Sequence, residues 1–224
     1  MTNLMYDSVT VADLPSGGWA YASYVDGRFD NWSALVARFL KSGAHLLSIT
    51  VNGDDWAMAH AIDDEPGDED NVQAAQFALA RISLKSVPVI YTSASNLVAL
   101  GAALTAVGVA RSKVLIWSAH YTSTPHFCAT HTCGYGFDVP ADATQYSDQG
   151  SSNYDTSLVS PTFFDSWAPP VPPVVPPAKP VLPPGQWNNP DAWTWAEVSI
   201  EGTGLDGHAY TFAYDKTTNA WVKA

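Results

Sequence analysis

Positive charge is scarce in this 224-residue chain: ten Lys and Arg stand against 22 Asp and Glu, for a net charge of −12. That balance opposes binding to nucleic acid or to an anionic membrane surface, both of which recruit clustered Lys and Arg. Long apolar runs are missing too. No stretch approaches the eighteen or so residues that a membrane span requires, and MTNLMYDSVTVADLP has neither a basic n-region nor an apolar h-region. Neither a membrane anchor nor a Sec-type signal peptide is expected. Cysteine is limited to Cys128 and Cys133, in HFCATHTCG. With His126 and His131 interleaved they could hold zinc, or they could close a six-residue disulfide loop. A disulfide or two free thiols, with no metal, is the expectation, because zinc sites usually draw ligands from two separated segments.

What the chain does have is 46% apolar residues, ample for the core of one full-sized domain plus a small appendage. One boundary stands out. APPVPPVVPPAKPVLPPG, residues 168–185, is so rich in proline that it reads as a polyproline II spacer, on the order of 50 Å long at about 3.1 Å per residue. The expected organisation is a first domain over 1–166, a linker over 167–186 and a small module over 187–224.

In the first domain, apolar and β-branched runs recur as YDSVTV, WAYASYV, HLLSITV, AMAHAID, VPVIYTS, VLIWSAHY, ADATQYS and YDTSLVS. Helical periodicity lies between several of them: DNWSALVARFLKSG, DNVQAAQFALARISLK with Asp70 placed to cap it, and SASNLVALGAALTAVG. Strands that read as continuous buried runs, alternating with helices, point to a parallel sheet covered by helices. Eight such strands suggest a compact, irregular (β/α)8 TIM-like barrel, with several crossovers reduced to loops because about 166 residues is short for that fold. A doubly wound open sheet is the second choice. After the linker, Gly-rich and Asn/Asp turns separate two or three strands, and four of the nine tryptophans fall there. These make a small all-β module whose rings form either an aromatic mini-core or a docking face.

The chemistry is concentrated in AHAIDDEPGDED, where six acids fall between residues 63 and 70. If AMAHAID is a strand, Asp63 and Glu65 project to one side with α-carbons roughly 6.5 Å apart, at the C-terminal rim where barrel enzymes place their reactive groups. Pro66 and Gly67 stop the strand there. Two carboxylates on one rim can divide the labour of glycoside hydrolysis, because like charge at short range drives their pKa values apart. Asp64, Asp68, Glu69 and Asp70 read most simply as a solvated turn and a helix N-terminus. Other strand ends would bring Asp7, Tyr91, Trp117, His120, Tyr121, Gln145 and Asp155 to the same rim, a mixture of rings and acids suited to sugar.

The order of these motifs, MYDSV, AIDDE, WSAHY, ATQYS and YDTSL, resembles the lysozymes of glycoside hydrolase family 25 and the related glycoside-hydrolase-like barrels of actinobacteria and their phages. The resemblance spans roughly residues 5 to 160. It implies a peptidoglycan-directed glycoside hydrolase, an endolysin or virion-associated lysin, cleaving the β-1,4 bond between N-acetylmuramic acid and N-acetylglucosamine without a cofactor. Glu65 would be the general acid, Asp63 would orient or stabilise the intermediate, and Asp7 and Asp155 would line the groove. The family's D-V-S on the first strand is D-S-V here, and the domain is shorter. The alternative is a non-catalytic phage virion protein, of tail or capsid surface, whose degenerate barrel binds host cell-wall glycan. In that reading the C-terminal module contacts other phage structural proteins. The expected location is a virion, or a host cytoplasm with holin-dependent release. A metal-dependent hydrolase lacks H-x-H or H-E-x-x-H spacing, and a thiol nucleophile at Cys128 or Cys133 would sit in an irregular loop.

Overall fold

Side-chain alternation along the apolar runs decides the architecture. In the computed structural model, which describes residues 3–53, 56, 59–135, 137, 139–148 and 153–165 and the backbone of three strands beyond residue 198, eight of these runs close into a barrel. The strands are β1 Leu4–Asp7, β2 Ala20–Tyr24, β3 His45–Thr50, β4 Ala61–Asp64, β5 Val89–Ser93, β6 Leu115–Ala119, β7 Ala143–Ser147 and β8 Asp155–Val159. Neighbours from β1 to β7 pair in parallel. β8 departs from the parallel expectation, running antiparallel to both β7 and β1 and closing the ring. Its first residue, Asp155, therefore lies level with the last residue of β1, Asp7.

One set of alternate residues fills the barrel: Met5, Ala20, Ala22, Leu47, Ile49, Ala61, Val89, Trp117, Ala143 and Val159 are all buried in a single interior cluster. The many alanines leave room for Trp117 and Tyr91. Because β8 runs downward, the chain after Val159 returns to the floor, where Phe163 and Phe164 pack with Trp19 and His45 and seal it. The mouth at the other end has no such plug among the described residues, and it carries the acids.

The outward set packs beneath helices. α1 (Trp32–Phe39) buries Leu35 and Phe39 over Tyr21 and Leu46. α2 (Asn71–Ser83) lays Ala74, Ala75, Phe77 and Ala78 over the sheet, a face of small residues that lets the helix approach closely. Asp70 caps it, accepting from the Val72 and Gln73 amides while the Gln73 side chain returns to the Asp70 amide. α3 (Leu97–Ala106) buries Leu97, Leu100 and Leu104 against Ile90 and Ile116. Only these three crossovers carry helices of eight residues or more among the described residues, and the β6–β7 link holds just the four-residue α4 (Thr130–Cys133). Helices do not alternate with every strand, so the described unit is a mixed α/β closed barrel with a partial helical coat. Two strand boundaries also differ from expectation. Within AMAHAID, Ala59 and His60 precede β4, which starts at Ala61, and YDSVTV leaves the sheet after Asp7, with Val9 47% exposed. No helix among the described residues is long and apolar enough to cross a membrane.

The chain divides into two compact units, residues 1–172 and 173–224. In the second, β9 (Ser199–Thr203), β10 (Ala209–Asp215) and β11 (Ala220–Lys223) pair antiparallel in the order β11-β10-β9. The proline-rich linker expected over 167–186 and the tryptophans of the C-terminal module lie outside the described residues or side chains.

Candidate active site

Strand parity carries acids to the mouth. Ala61 faces the interior and Ile62 the helices, so Asp63 points into the barrel one step above Ala61, and Asp64 points out. Glu65 follows at the lip. There Glu65-Pro66-Gly67-Asp68 turns back, with the Asp68 amide donating to the Glu65 carbonyl at 3.0 Å and Gly67 at φ +108°. Proline second and a positive-φ glycine third are the signature of a type II turn, which a side chain at position 67 would strain. The Glu69 amide then donates to the Asp63 carbonyl at 3.2 Å, holding the segment over the strand end.

Four carboxyl groups converge there. Asp7 and Asp155 are cross-strand partners. Asp7 is 5% exposed, and burial followed by the charge of Asp155 holds its carboxyl well above the usual carboxylate range. Asp63 is 4% exposed and is pushed up to about 8, first by burial and then by Glu65, Asp68, Asp7 and Asp64. Half-buried Glu65 is raised by burial, Asp68 and Asp155. Asp155 is pushed up to about 6 by burial and Asp148, against the opposing pull of a hydrogen bond from Gln145. None of the four has a Lys or Arg partner among the described residues. The Oδ1 atoms of Asp7 and Asp63 are buried and without any hydrogen-bond partner. Desolvated, unpartnered carboxyl oxygens are costly, and a site built to receive a ligand is where such a cost recurs.

Around them runs a hydrogen-bonded wall. The Tyr91 hydroxyl donates to Gln145 Oε1 and also bonds Tyr121, while Gln145 bonds Asp155. Gln145 is 1% exposed and Trp117 is 1% exposed, so neither offers a free face to a ligand. Trp117 donates from Nε1 to Ser157 Oγ at 2.9 Å and meets the Tyr91 ring edge at a centroid distance of 4.7 Å, which makes it the floor beneath that tyrosine. Tyr121 is 55% exposed and stands at the lip. Tyr24, which the sequence reading passed over, also belongs to the mouth: its hydroxyl is raised by burial and then by Asp7, Asp63 and Asp155. The available signal was parity, since Tyr24 is two residues beyond the inward-facing Ala22 on β2. Exposed Phe29 lies beside it, ring centroids 6.4 Å apart.

Two of the acids assigned to a solvated turn are not solvated. Asp64, 3% exposed, faces the helical layer, where Asn96 donates to its Oδ2 at 3.1 Å and Thr92 to its carbonyl at 2.7 Å. Glu69, 4% exposed, folds in beside Gly53 and Trp56. Asp68 and Asp70 remain exposed. His120 takes a different position from the sugar-facing one expected: its Nδ1 lies 3.0 Å from His126 Nε2 and 3.0 Å from Cys133 Sγ. Cys128 and Cys133 are joined as a disulfide. The ligating atoms of His120, His126, Cys128 and Cys133 all lie within 4.8 Å of one another, whereas His131 is exposed and outside the group.

No family model and no curated protein matches the chain. Among solved structures it is similar to the multimodular pneumococcal cell wall endolysin from phage Cp-1, complexed with choline, with a TM-score of 0.41 and 12% identity. The match covers 99% of this chain and 64% of that one, so this chain spans less than two thirds of the endolysin's length.

Proposed function

We propose that the barrel is a trimmed, irregular relative of the (β/α)8 barrel that takes bacterial cell-wall glycan across its acidic mouth and hydrolyses a β-1,4 glycosidic bond there. The observation that carries the reading is the pair of buried, unpartnered carboxyl oxygens of Asp7 and Asp63, uncompensated by any described cation and set beside half-buried Glu65. Buried carboxyl oxygens without partners call for a polar ligand such as a sugar, and Asp155 beside them is the acid that meets positive charge developing on the ring. Glu65 is the general acid, its proton retained by burial and by the charges of Asp68 and Asp155. Asp155, ionised above about pH 6, supplies negative charge toward the developing oxocarbenium. Asp63 keeps its proton until about pH 8, and its free Oδ1 orients a 2-acetamido group. Tyr121, Tyr24 and Phe29 offer ring faces at the lip. Tyr91, Gln145 and Trp117 act through the acids, by holding Asp155 and one another in place.

The test is product analysis. Purified peptidoglycan incubated with the protein should yield fragments with new reducing-end sugars, identifiable by borohydride reduction and mass spectrometry. Wall that pelleted the protein but yielded no new reducing ends between pH 4 and 8 would assign the barrel to glycan binding without cleavage, as in a virion surface protein.

A further inference from the structure

The loop between β6 and β7 holds a second cluster, independent of the acids. Four atoms able to ligate a metal meet there: His120 Nδ1, His126 Nε2, Cys128 Sγ and Cys133 Sγ. The backbone explains how one loop brings them together. His120 directly follows β6, with its amide bonded to the Gln145 carbonyl at 2.8 Å. Cys128 is fully buried and anchored through its amide to Thr144 Oγ1 at 2.9 Å, and α4 returns Cys133 toward both.

The imidazole of His126 is oriented from behind. Its Nδ1 lies 2.8 Å from the Thr124 carbonyl, which only accepts, so Nδ1 carries the proton and donates. The Nε2 lone pair is thereby aimed at the cluster, 3.0 Å from His120 Nδ1 and 3.4 Å from Cys133 Sγ. A backbone acceptor behind a histidine is the arrangement that fixes metal-ligating imidazoles.

The spacing fits a tetrahedron. Zinc–nitrogen bonds of about 2.0–2.1 Å and zinc–sulfur bonds of about 2.3 Å imply nitrogen–nitrogen edges of about 3.3 Å and sulfur–nitrogen edges of about 3.5 Å. The separations here are 3.0 Å between the nitrogens, and 3.0, 3.4 and 4.0 Å for three of the sulfur–nitrogen edges. To form the site the bonded sulfurs must part to about 3.8 Å, and the longer edges, within 4.8 Å at most, must draw in.

We propose that the reduced chain binds one zinc ion through His120, His126, Cys128 and Cys133, so that the loop alternates between a disulfide-closed and a zinc-closed form. In the exchange two equivalents of a thiol reductant are oxidised to one disulfide, and Cys128–Cys133 is reduced to two thiols. Zinc then displaces both thiol protons, and the His120 proton moves from Nδ1 to Nε2. The sum is protein disulfide, two thiols and Zn²⁺ giving the Cys2His2 zinc site, one small disulfide and two protons. The disulfide closes only residues 128–133, whereas the metal would also tie in His120, the neighbour of Tyr121, whose hydroxyl meets Tyr91.

The test uses the full chain, reduced and freed of reductant under anaerobic conditions, and titrated with Co²⁺ alone and then with Zn²⁺. The expected result is one Co²⁺ per chain with the visible bands of tetrahedral thiolate coordination, bleached by one equivalent of Zn²⁺, and no such bands from the oxidised chain. His120→Ala and His126→Ala should each weaken binding at least tenfold, with a far-ultraviolet spectrum unchanged from wild type, while His131→Ala should bind as wild type. A reduced wild-type chain without tetrahedral bands would overturn the proposal, as would His126→Ala binding Co²⁺ with wild-type affinity.

Discussion

Asp63→Asn removes a carboxyl that burial and four neighbouring acids hold up to about 8, against 3.8 for the same group in the unfolded chain. Between those values the folded protein keeps a proton that the unfolded chain has released. Wild-type stability therefore falls as pH rises from about 4 to about 8. Asparagine has the shape of the protonated acid and no charge at any pH, so the variant escapes that loss. A single group with these two values costs about 2 kcal/mol at pH 5 and about 5 kcal/mol at pH 8, and the variant's advantage should grow by about 3–4 kcal/mol between them. At roughly 2–4 °C per kcal/mol for a domain of this size, the gap in Tm widens by on the order of 10 °C. Thermal denaturation of both proteins by circular dichroism at pH 5 and pH 8 measures it. A Tm difference that stays constant across that interval would refute the claim that Asp63 is enclosed among uncompensated acids.

Other perturbations follow from the same geometry. The rising limb of kcat/KM on wall substrate should fall near pH 6, where Asp155 loses its charge as pH drops, and Asp155→Asn should remove that limb in a pH–rate profile. Tyr91→Phe should cost about 1–3 kcal/mol by urea denaturation, because it leaves the buried Gln145 Oε1 without its donor. Trp117→Ala should cost about 3–5 kcal/mol in the same assay, since the fully enclosed indole fills the barrel beneath Tyr91. Asp70→Ala, which strips both capping bonds from the start of α2, should cost about 1 kcal/mol.

Most strands were legible because they are short, buried apolar runs, and Asp70 was legible as a cap because a glutamine follows at the third position. The direction of β8 was not: DTSLV alternates in the same way whether it runs up or down, and only the length of the β7–β8 connection bears on it. The three longer helices were legible from their periodicity, and the chain length already called for the remaining crossovers to be short. At the site, period-two parity correctly aims Asp63 inward, but the same parity sends Asp64 outward into the helical layer, which no count of nearby acids reveals. Glu69 is hidden for a related reason, since a run of acids reads as solvated until a chain reversal folds it inward. His131 was grouped with the cysteines on proximity in sequence, whereas His120, thirteen residues before Cys133, is the residue that the β6 end delivers to them. Trp117 shows the same limit. Whether a ring at a strand end lines a mouth or plugs a floor depends on barrel closure, a long-range property.

The most direct measurement of the central claim is the rate of reducing-sugar release from purified wall by wild type and Glu65→Gln, with wall pelleting measured in parallel. A proton donor at the lip of an acidic mouth predicts release by wild type, a loss of about 10²–10⁴-fold in the glutamine variant, and equal pelleting of the two. Release by Glu65→Gln at the wild-type rate, or none by either protein while both pellet, would contradict it.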